Sequence, residues 1–150
     1  MASTFPLKPN VIQGILGKDG SGNFYTVVPG TFVYKGTDGA GVPNRIVPCT
    51  DTSEHVPIGA IYAGKTADIE DYTKNGEVSI AIWPFVMNTS NVAGGGVPEV
   101  AANKLVYLLD AGTLSDTDTN TSLWILGQCV DINTGNAEPY TINFYGPWKV

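Results

Sequence analysis

The sequence predicts an all-β protein, a compact antiparallel barrel or sandwich-like domain that follows an extended N-terminal arm. Short apolar segments rich in Val, Ile, Tyr and Phe alternate with clusters of Gly, Pro, Asn and Asp along the whole chain. No stretch sustains the 3.6-residue period of an amphipathic helix. The chain has 150 residues, of which 43% are hydrophobic, enough for one packed core. We therefore expect a single β domain.

The first ten residues predict an arm, because Pro6 and Pro9 forbid regular helix and favour extended backbone. Phe5 and Leu7 are apolar anchors that so short a tail is not expected to bury against itself. We expect residues 1–10 to be mobile in the free protein and to become ordered over a neighbouring subunit. Residues 11–150 then form the β domain.

Nine segments combine β-branched or aromatic residues with flanking turn residues, as strands do. They are Val11–Leu16, Asn23–Val28, Thr31–Lys35, Arg45–Cys49, Pro57–Ala63, Glu77–Trp83, Lys104–Leu109, Ser122–Asp131 and Pro139–Tyr145. Asp19-Gly20 predicts a hairpin turn between the first two, and Asp38-Gly39 a second tight turn, because each supplies a residue tolerant of positive φ. Gly94-Gly95-Gly96 predicts a long loop within the domain.

Two patterns distinguish the strands of the C-terminal half. From Tyr140 to Tyr145 apolar and polar residues alternate, which predicts one buried and one wetter sheet face. Leu105–Leu109 and Leu123–Leu126 are apolar at consecutive positions, so both faces of these strands need cover. A second sheet or a neighbouring subunit could supply it, and we expect a homo-oligomer.

A weak internal repeat relates the two halves of the chain. Phe32-Val33-Tyr34 precedes Ile58-Gly59-Ala60 much as Leu105-Val106-Tyr107 precedes Leu126-Gly127-Gln128, with a polar Thr- and Asp-rich stretch between the members of each pair. Chance similarity among short β segments explains such a pattern equally well. In either case the two glycines predict close backbone approach within a sheet.

Composition narrows the class of partner. Eight Lys and Arg against fourteen Asp and Glu give a net charge of −6, which repels phosphate backbones and anionic lipid headgroups. We therefore expect neither nucleic acid nor membrane among the partners. Only 15% of the residues are charged, against about 25% in typical globular proteins. Such a surface suits burial against another protein.

The chain carries no recognisable targeting segment or cysteine motif. Its start lacks the basic and long apolar regions of a secretory signal, so we expect no export by that route. The longest apolar run, from Val78 to Met87, is interrupted by a serine and a proline and is shorter than the ~20 residues that span a bilayer. Cys49 and Cys129 form no Cys-x-x-Cys pair and predict two buried free thiols.

The residues that could carry catalysis form no recognisable set. The single histidine, His55, has no Ser or Cys nucleophile signature around it, so a hydrolytic triad cannot be argued. With one His and two separated Cys, a zinc or iron ligand set would have to consist of carboxylates. We expect no enzymatic activity, no cofactor and no metal.

Two acidic groups leave alternatives open. Asp116–Asn120 places oxygen ligands at alternate positions, as calcium loops do, but Thr121 and Gly127 stand where that motif needs Gly and Glu. Glu70, Asp71 and Glu77 could imitate the carboxylate pair of a glycoside hydrolase. Solvated acidic turns are the interpretation we prefer for both groups.

Several motifs together resemble tailed-phage capsid decoration, or cement, proteins and head-fibre proteins. They are Pro29-Gly30-Thr31-Phe32-Val33-Tyr34, Val56-Pro57-Ile58-Gly59-Ala60-Ile61, Glu77-Val78-Ser79-Ile80-Ala81-Ile82 and Lys104-Leu105-Val106-Tyr107-Leu108. The resemblance covers most of residues 29–132. It implies a compact β-tulip-type fold, a trimer, and a seat on the outer surface of the capsid after synthesis in the host cytoplasm.

The expected function is therefore that of a structural virion protein that binds the major capsid protein and stabilises or decorates the shell. The candidate capsid or subunit contacts are Phe5, Leu7, Trp124 and Trp148, because large apolar side chains supply buried area at little entropic cost. The alternative is a host-facing module that binds glycans, as the aromatic residues and Thr/Asn-rich loops would allow. A small β-fold hydrolase is a third hypothesis, which lacks catalytic residues.

Overall fold

The computed structural model describes residues 3–49, 55–62, 76–90, 92, 104–108, 113–115 and 124–149. These residues form two antiparallel sheets that pack together, so the predicted all-β class is confirmed. The strands are β1 (Ser3–Thr4), β2 (Val11–Ile15), β3 (Phe32–Gly36), β4 (Arg45–Pro48), β5 (Gly59–Tyr62), β6 (Glu77–Ile82), β7 (Phe85–Thr89), β8 (Leu105–Leu108), β9 (Leu114–Ser115), β10 (Trp124–Ile132) and β11 (Tyr140–Lys149).

The two sheets are open, and the arrangement is a sandwich rather than a closed barrel. Sheet A has the order β1-β7-β11-β10-β8-β9, and sheet B has the order β2-β6-β5-β3-β4. Each sheet curls, and one isolated parallel bridge joins residues that lie near its two opposite sides. In sheet B this bridge joins Leu16 to Ile46, and in sheet A it joins Val92 to Leu114.

The two sheets share one topology. Counted from the start of each half, both place their strands in the order first, fifth, fourth, second, third, as β2-β6-β5-β3-β4 and β7-β11-β10-β8-β9. Strand β1 is an addition to the edge of sheet A beside β7. The segments that echo each other in the sequence lie on equivalent strands, the x-Val-Tyr segments on β3 and β8 and the glycines on β5 and β10.

The two equivalent glycines are required by close backbone contact. A Cβ atom on Gly59 would collide with the carbonyl oxygen of Ala81, and one on Gly127 with the carbonyl oxygen of Asn143. Backbone of a neighbouring strand cannot move aside as a flexible side chain can. The close approach predicted for these two positions is therefore present.

Two hydrophobic clusters support the sheets. The main core lies between the sheets, and the second lies inside the curl of sheet B. The main core contains Phe32, Cys49, Ala60, Ala81, Phe85, Met87, Val92, Val106, Leu108, Leu114, Leu126, Cys129, Tyr140, Ile142 and Phe144. The second contains Leu16, Val27, Val33, Ile46, Ile61, Val78 and Ile80. Both cysteines are buried and free, as predicted.

The prediction of a strand at Asn23–Val28 is wrong, although the chain does reverse at the predicted Asp19-Gly20 turn. Phe24 makes one isolated bridge, to Lys18, and the remaining residues of this segment lie outside any strand. Its apolar side chains are used differently, because Phe24, Tyr25 and Val27 pack onto the second core. The apolar residues of this segment are therefore explained by their packing on the core and not by strand pairing.

Strand β7 was not predicted. Its last residues, Asn88 and Thr89, are of types that are common in turns. Every second residue of the strand nevertheless faces the interior, and Phe85, Met87 and Thr89 are buried. The alternation predicted for Tyr140–Tyr145 is confirmed in the neighbouring β11, where Tyr140, Ile142 and Phe144 are buried.

Both Asp-Gly dipeptides lie in tight turns of the same design. In each, the aspartate N–H donates to the carbonyl oxygen four residues ahead, at 2.7 Å for Asp19 and 3.0 Å for Asp38. Each carboxylate accepts two further backbone N–H groups of its own turn. The positive φ falls at Gly22 and Gly41, both +84°, and not on the glycine that follows the aspartate.

The N-terminal strap, residues 3–10, lies against the β body. The hydroxyl groups of Ser3 and Thr89 are hydrogen-bonded at 2.7 Å, and a Cβ on Gly30 would lie 2.6 Å from the Ser3 side chain. The Phe5 ring packs against Tyr62 and Phe85, with centroid distances of 5.1 and 5.8 Å. Phe5 is therefore partly buried against the β body and not against the arm itself, because sheet pairing brings it over the edge of the main core.

Candidate binding surface

The candidate site is built around an irregularity in β11. Residues three apart in a regular strand point to opposite faces, so Tyr145 and Trp148 would separate. In this strand Ile125 pairs with Trp148 and Gly127 with Phe144, so three residues of β11 oppose Leu126 alone. Gly146, with a φ of +133°, lies within this bulge. The bulge brings Tyr145 and Trp148 to the same face, as bulges commonly re-aim side chains.

The two rings form a stacked pair on the outer face of sheet A, called here the aromatic ridge. Their centroids are 5.2 Å apart and their planes differ by 24°. Tyr145 is 45% exposed and Trp148 is 39% exposed, so the pair offers aromatic surface to a partner. Held by a paired strand on a packed sheet, the ridge is preorganised for binding.

The cover expected for the apolar strand β10 comes from within the chain. Ile125 lies opposite Tyr107 on one side and Trp148 on the other, and only 4% of it is exposed. At Ile125 the cover therefore comes from neighbouring strands of the same sheet, whereas a second sheet or a neighbouring subunit was expected. The homo-oligomer stays a prediction. Leu105 of β8 stays 38% exposed.

A cleft of about 410 Å³ adjoins the ridge, between the strap, the start of β7 and the middle of β11. Buried Phe85 and Phe144 contribute to its lining, and Tyr145 belongs to both cleft and ridge. The lining consists of Leu7, Lys8, Pro9, Asn10, Pro84, Phe85, Val86, Asn143, Phe144 and Tyr145. A mostly apolar cleft with a few amide and charged groups is typical of binding sites.

The structure brings together two of the four residues predicted as contacts. Leu7 is 65% exposed at the cleft, and Trp148 reaches the same surface through its stack on Tyr145. Phe5 packs inward on the strap, and Trp124 is half-buried against the main core. Tyr145 was missed, although Gly146-Pro147 beside it is a sequence signal for a bulge.

The groups considered for catalysis are dispersed in the part of the chain that the structure describes. The His55 ring stacks on Tyr34 at a centroid distance of 3.9 Å, and its Nδ1 is buried with no hydrogen-bond partner among the described residues. Burial raises the pKa of the Cys49 thiol to about 12, so the nucleophilic thiolate is scarce near neutral pH. Within the described ranges, no three His, Cys, Asp or Glu side chains gather as a metal site.

The acidic candidates Glu70, Asp71 and Asp116–Asn120 lie outside the described residues. Glu77 is exposed at the start of β6. Among the residues with described structure there is no helix of the length and hydropathy needed to cross a membrane. No protein-family model, curated protein or solved structure matches this chain.

Proposed function

We propose that this protein is a structural virion protein that attaches to the outer surface of a tailed-phage capsid and stabilises or decorates it. One observation carries the proposal: the aromatic ridge of Tyr145 and Trp148 is exposed on a rigid sheet beside an apolar cleft. Interfaces between proteins are anchored by such aromatic side chains. The resemblance of its sequence motifs to those of decoration proteins is the reason for proposing a phage capsid as the partner.

The surroundings of the ridge suit a protein partner. Leu7, Pro84 and Val86 add apolar area along the cleft, and among the described residues that line it Lys8 alone is charged. Because interface centres are depleted of charged residues and enriched in aromatic ones, this composition matches a contact centre with a polar rim. Asn10 and Asn143 provide that rim with donors and acceptors.

The proposal is tested by co-sedimentation with purified tailed-phage capsids that lack their decoration protein. We expect the wild-type chain to sediment with the capsids. Trp148→Ala should weaken attachment by roughly 30-fold, because truncation of an interface hot spot costs about 2 kcal/mol. The matched control is Val130→Ala, which removes a 41% exposed apolar side chain from β10, in the same sheet but away from the ridge.

If Trp148→Ala occupied the capsids as fully as the wild type, the contact would have to lie outside the aromatic ridge. Failure of the wild-type chain to bind any such capsid would refute the proposal itself. The proposed partner is the major capsid protein, and the resemblance further implies that three copies assemble. Native mass spectrometry of decorated and free protein measures that number.

A second candidate function is glycan binding by a host-facing module. Its support is the position of Tyr145, which borders a cleft that also presents the amides of Asn10 and Asn143. Sugar rings stack on exposed aromatic faces while amides bind their hydroxyl groups. A glycan-array screen separates the two functions, since strong glycan binding without capsid binding would favour this candidate over the first.

A further inference from the structure

The outer edge of sheet B is unusually apolar. Strand β2 is the edge strand, and Val11, Ile12 and Ile15 are 40%, 41% and 43% exposed. The strand, Val-Ile-Gln-Gly-Ile, contains no charged residue and no proline. Natural proteins usually protect exposed edges with such residues, because unpaired backbone N–H and C=O groups invite pairing with another strand. This edge lacks that protection.

The equivalent edge of sheet A is occupied. In sheet B, Val11 of β2 pairs with Ala81, and the next residue, Ile82, pairs with Gly59 of β5. In sheet A, Val86 of β7 pairs with Asn143, and the next residue, Phe144, pairs with Gly127 of β10. Val11 and Val86 therefore occupy equivalent positions. Counted from these two valines, Gln13 and Gly14 correspond to Asn88 and Thr89. Those are the two residues with which β1 pairs. The shared topology therefore includes a place for one more strand beside β2.

The described residues leave that place unfilled. Strand β2 pairs with β6 on one side, and on the other side its neighbourhood makes one bridge, from Leu16 to Ile46 beyond the end of the strand. The bridge in sheet A, at Val92, likewise lies beyond the part of β7 that accepts β1. The curl of the sheet is therefore compatible with a strand paired at Gln13 and Gly14.

We propose that β2 of a second copy of this chain fills this place, antiparallel to the first and related to it by a two-fold axis at Gln13. Antiparallel partners share a sheet face, so the register must keep residues of the same parity opposite each other. Val11 then meets Ile15 of the partner, and the two Gln13 side chains meet at the axis. An isologous contact of this kind closes on itself.

A second copy matches this edge in chemistry. Strand β2 carries no charged side chain, so no like charges meet between the two copies of the strand. Apolar Val11 meets apolar Ile15 at both ends of the contact, and the uncharged Gln13 meets its own copy in the middle. The contact joins copies in pairs, whereas the resemblance to decoration proteins implies three.

The first experiment measures association by sedimentation equilibrium of the full chain. We expect a dimer whose dissociation constant rises by about tenfold or more in Val11→Lys, because a lysine placed against the partner's Ile15 loses its apolar contact and must be desolvated. Combining Val11→Lys with Ile15→Glu should restore the dimer, because the new lysine then meets the new glutamate across the axis. Both positions are solvent-exposed, and far-UV circular dichroism checks that the variants fold.

The second experiment tests the register. Residues opposite each other in an antiparallel pair have Cα atoms about 4.5 to 5.5 Å apart, within reach of a disulfide. Gln13→Cys with oxidised glutathione should therefore give a covalent dimer. The matched control is Val28→Cys, at a 48% exposed position outside the strands, which should give no covalent dimer under the same treatment.

Three results would overturn the proposal. A wild-type chain that is monomeric at every accessible concentration has no such contact. A dimer or trimer that is insensitive to Val11→Lys associates elsewhere, and loss of association in Trp148→Ala would assign the contact to the aromatic ridge. A Gln13→Cys variant that does not cross-link while the wild-type chain dimerises excludes this register.

Discussion

Two single residues, Gly127 and Asp38, stabilise the fold through their effect on the backbone of neighbouring segments. Gly127 lies where β10 passes closest to β11, and its missing side chain leaves room for the Asn143 carbonyl group. Asp38 acts through its carboxylate, which binds three backbone N–H groups, from Lys18 at 2.9 Å, Ala40 at 3.0 Å and Val42 at 2.8 Å. Both residues hold neighbouring segments of chain in place.

Replacement of Gly127 by Ala should strongly destabilise the protein. The new Cβ would collide with backbone of β11 that cannot move without breaking the ladder, so we expect a loss of roughly 3 kcal/mol. The control is Gly135→Ala, where a Cβ would make ordinary contact with Asn133 at 3.5 Å and stability should be nearly unchanged. Urea unfolding of both variants measures the difference, and equal midpoints would contradict the collision.

Acid should destabilise the protein partly through Asp38. Hydrogen bonds from the backbone N–H of Lys18, then of Val42 and Ala40, lower the pKa of the Asp38 carboxyl, and Arg45 adds to this effect. Because the folded pKa lies below the unfolded one, the stabilisation is present above the unfolded pKa and is lost as pH falls through the folded pKa.

Thermal unfolding of Asp38→Asn over the acidic range tests this prediction. The variant should be less stable than the wild type near neutral pH, because an amide nitrogen cannot accept the Lys18 hydrogen bond. The difference should shrink as the pH is lowered. Asp131→Asn, at an exposed position on β10, is the control and should retain the wild-type dependence on pH. A constant difference at every pH would contradict the assignment to Asp38.

Among the structural elements, the strap and the bulge of β11 form the candidate binding surface. The strap begins as β1 in sheet A and ends where the Asn10 carbonyl oxygen accepts the Ile82 N–H at 3.0 Å, so it ties one sheet to the other. The bulge turns Tyr145 and Trp148 to one face. Together they border the cleft.

Truncation of the strap should therefore cost stability and not only attachment. Phe5→Ala removes a half-buried ring from its contacts with Tyr62 and Phe85, so we expect a loss of roughly 2 kcal/mol, less than for a fully buried phenylalanine. Leu7→Ala, at a 65% exposed position, should change stability by less than about 0.5 kcal/mol. Calorimetry of the two variants compares them. A Phe5→Ala variant as stable as the wild type would show that the arm is free in solution.

For the whole molecule, the shared topology of the two sheets does not imply two independent units. The main core takes Phe32, Ala60 and Ala81 from sheet B and most of its other members from sheet A. Strand β1, from the start of the chain, completes the edge of sheet A. Neither sheet therefore buries its inner face without the other.

We expect one cooperative unfolding transition. Tryptophan fluorescence reports chiefly on the main core and sheet A, because Trp83 and Trp124 pack on that core and Trp148 lies on sheet A. Val33→Ala, in the second core inside sheet B, should lower the transition seen by fluorescence as much as that seen by circular dichroism. The loss should be roughly 1 to 3 kcal/mol, as for other truncations of buried aliphatic side chains. Separate transitions for the two probes would contradict a shared core.

The sequence alone determined the β class, the alternation in Tyr140–Phe144 and the close approach at Gly59 and Gly127, because period-two burial and a missing side chain are local properties of a strand. The contact role predicted for Leu7 and Trp148 stays a prediction.

The tertiary structure alone decided that Asn23–Val28 covers a core without forming a strand, that Phe5 is half-buried against the β body, and that Tyr145 stacks on Trp148. These outcomes depend on which strand lies alongside and in which register. A bulge changes the direction in which nearby side chains point, and no pattern of residue types within the strand records the neighbouring strand against which it forms.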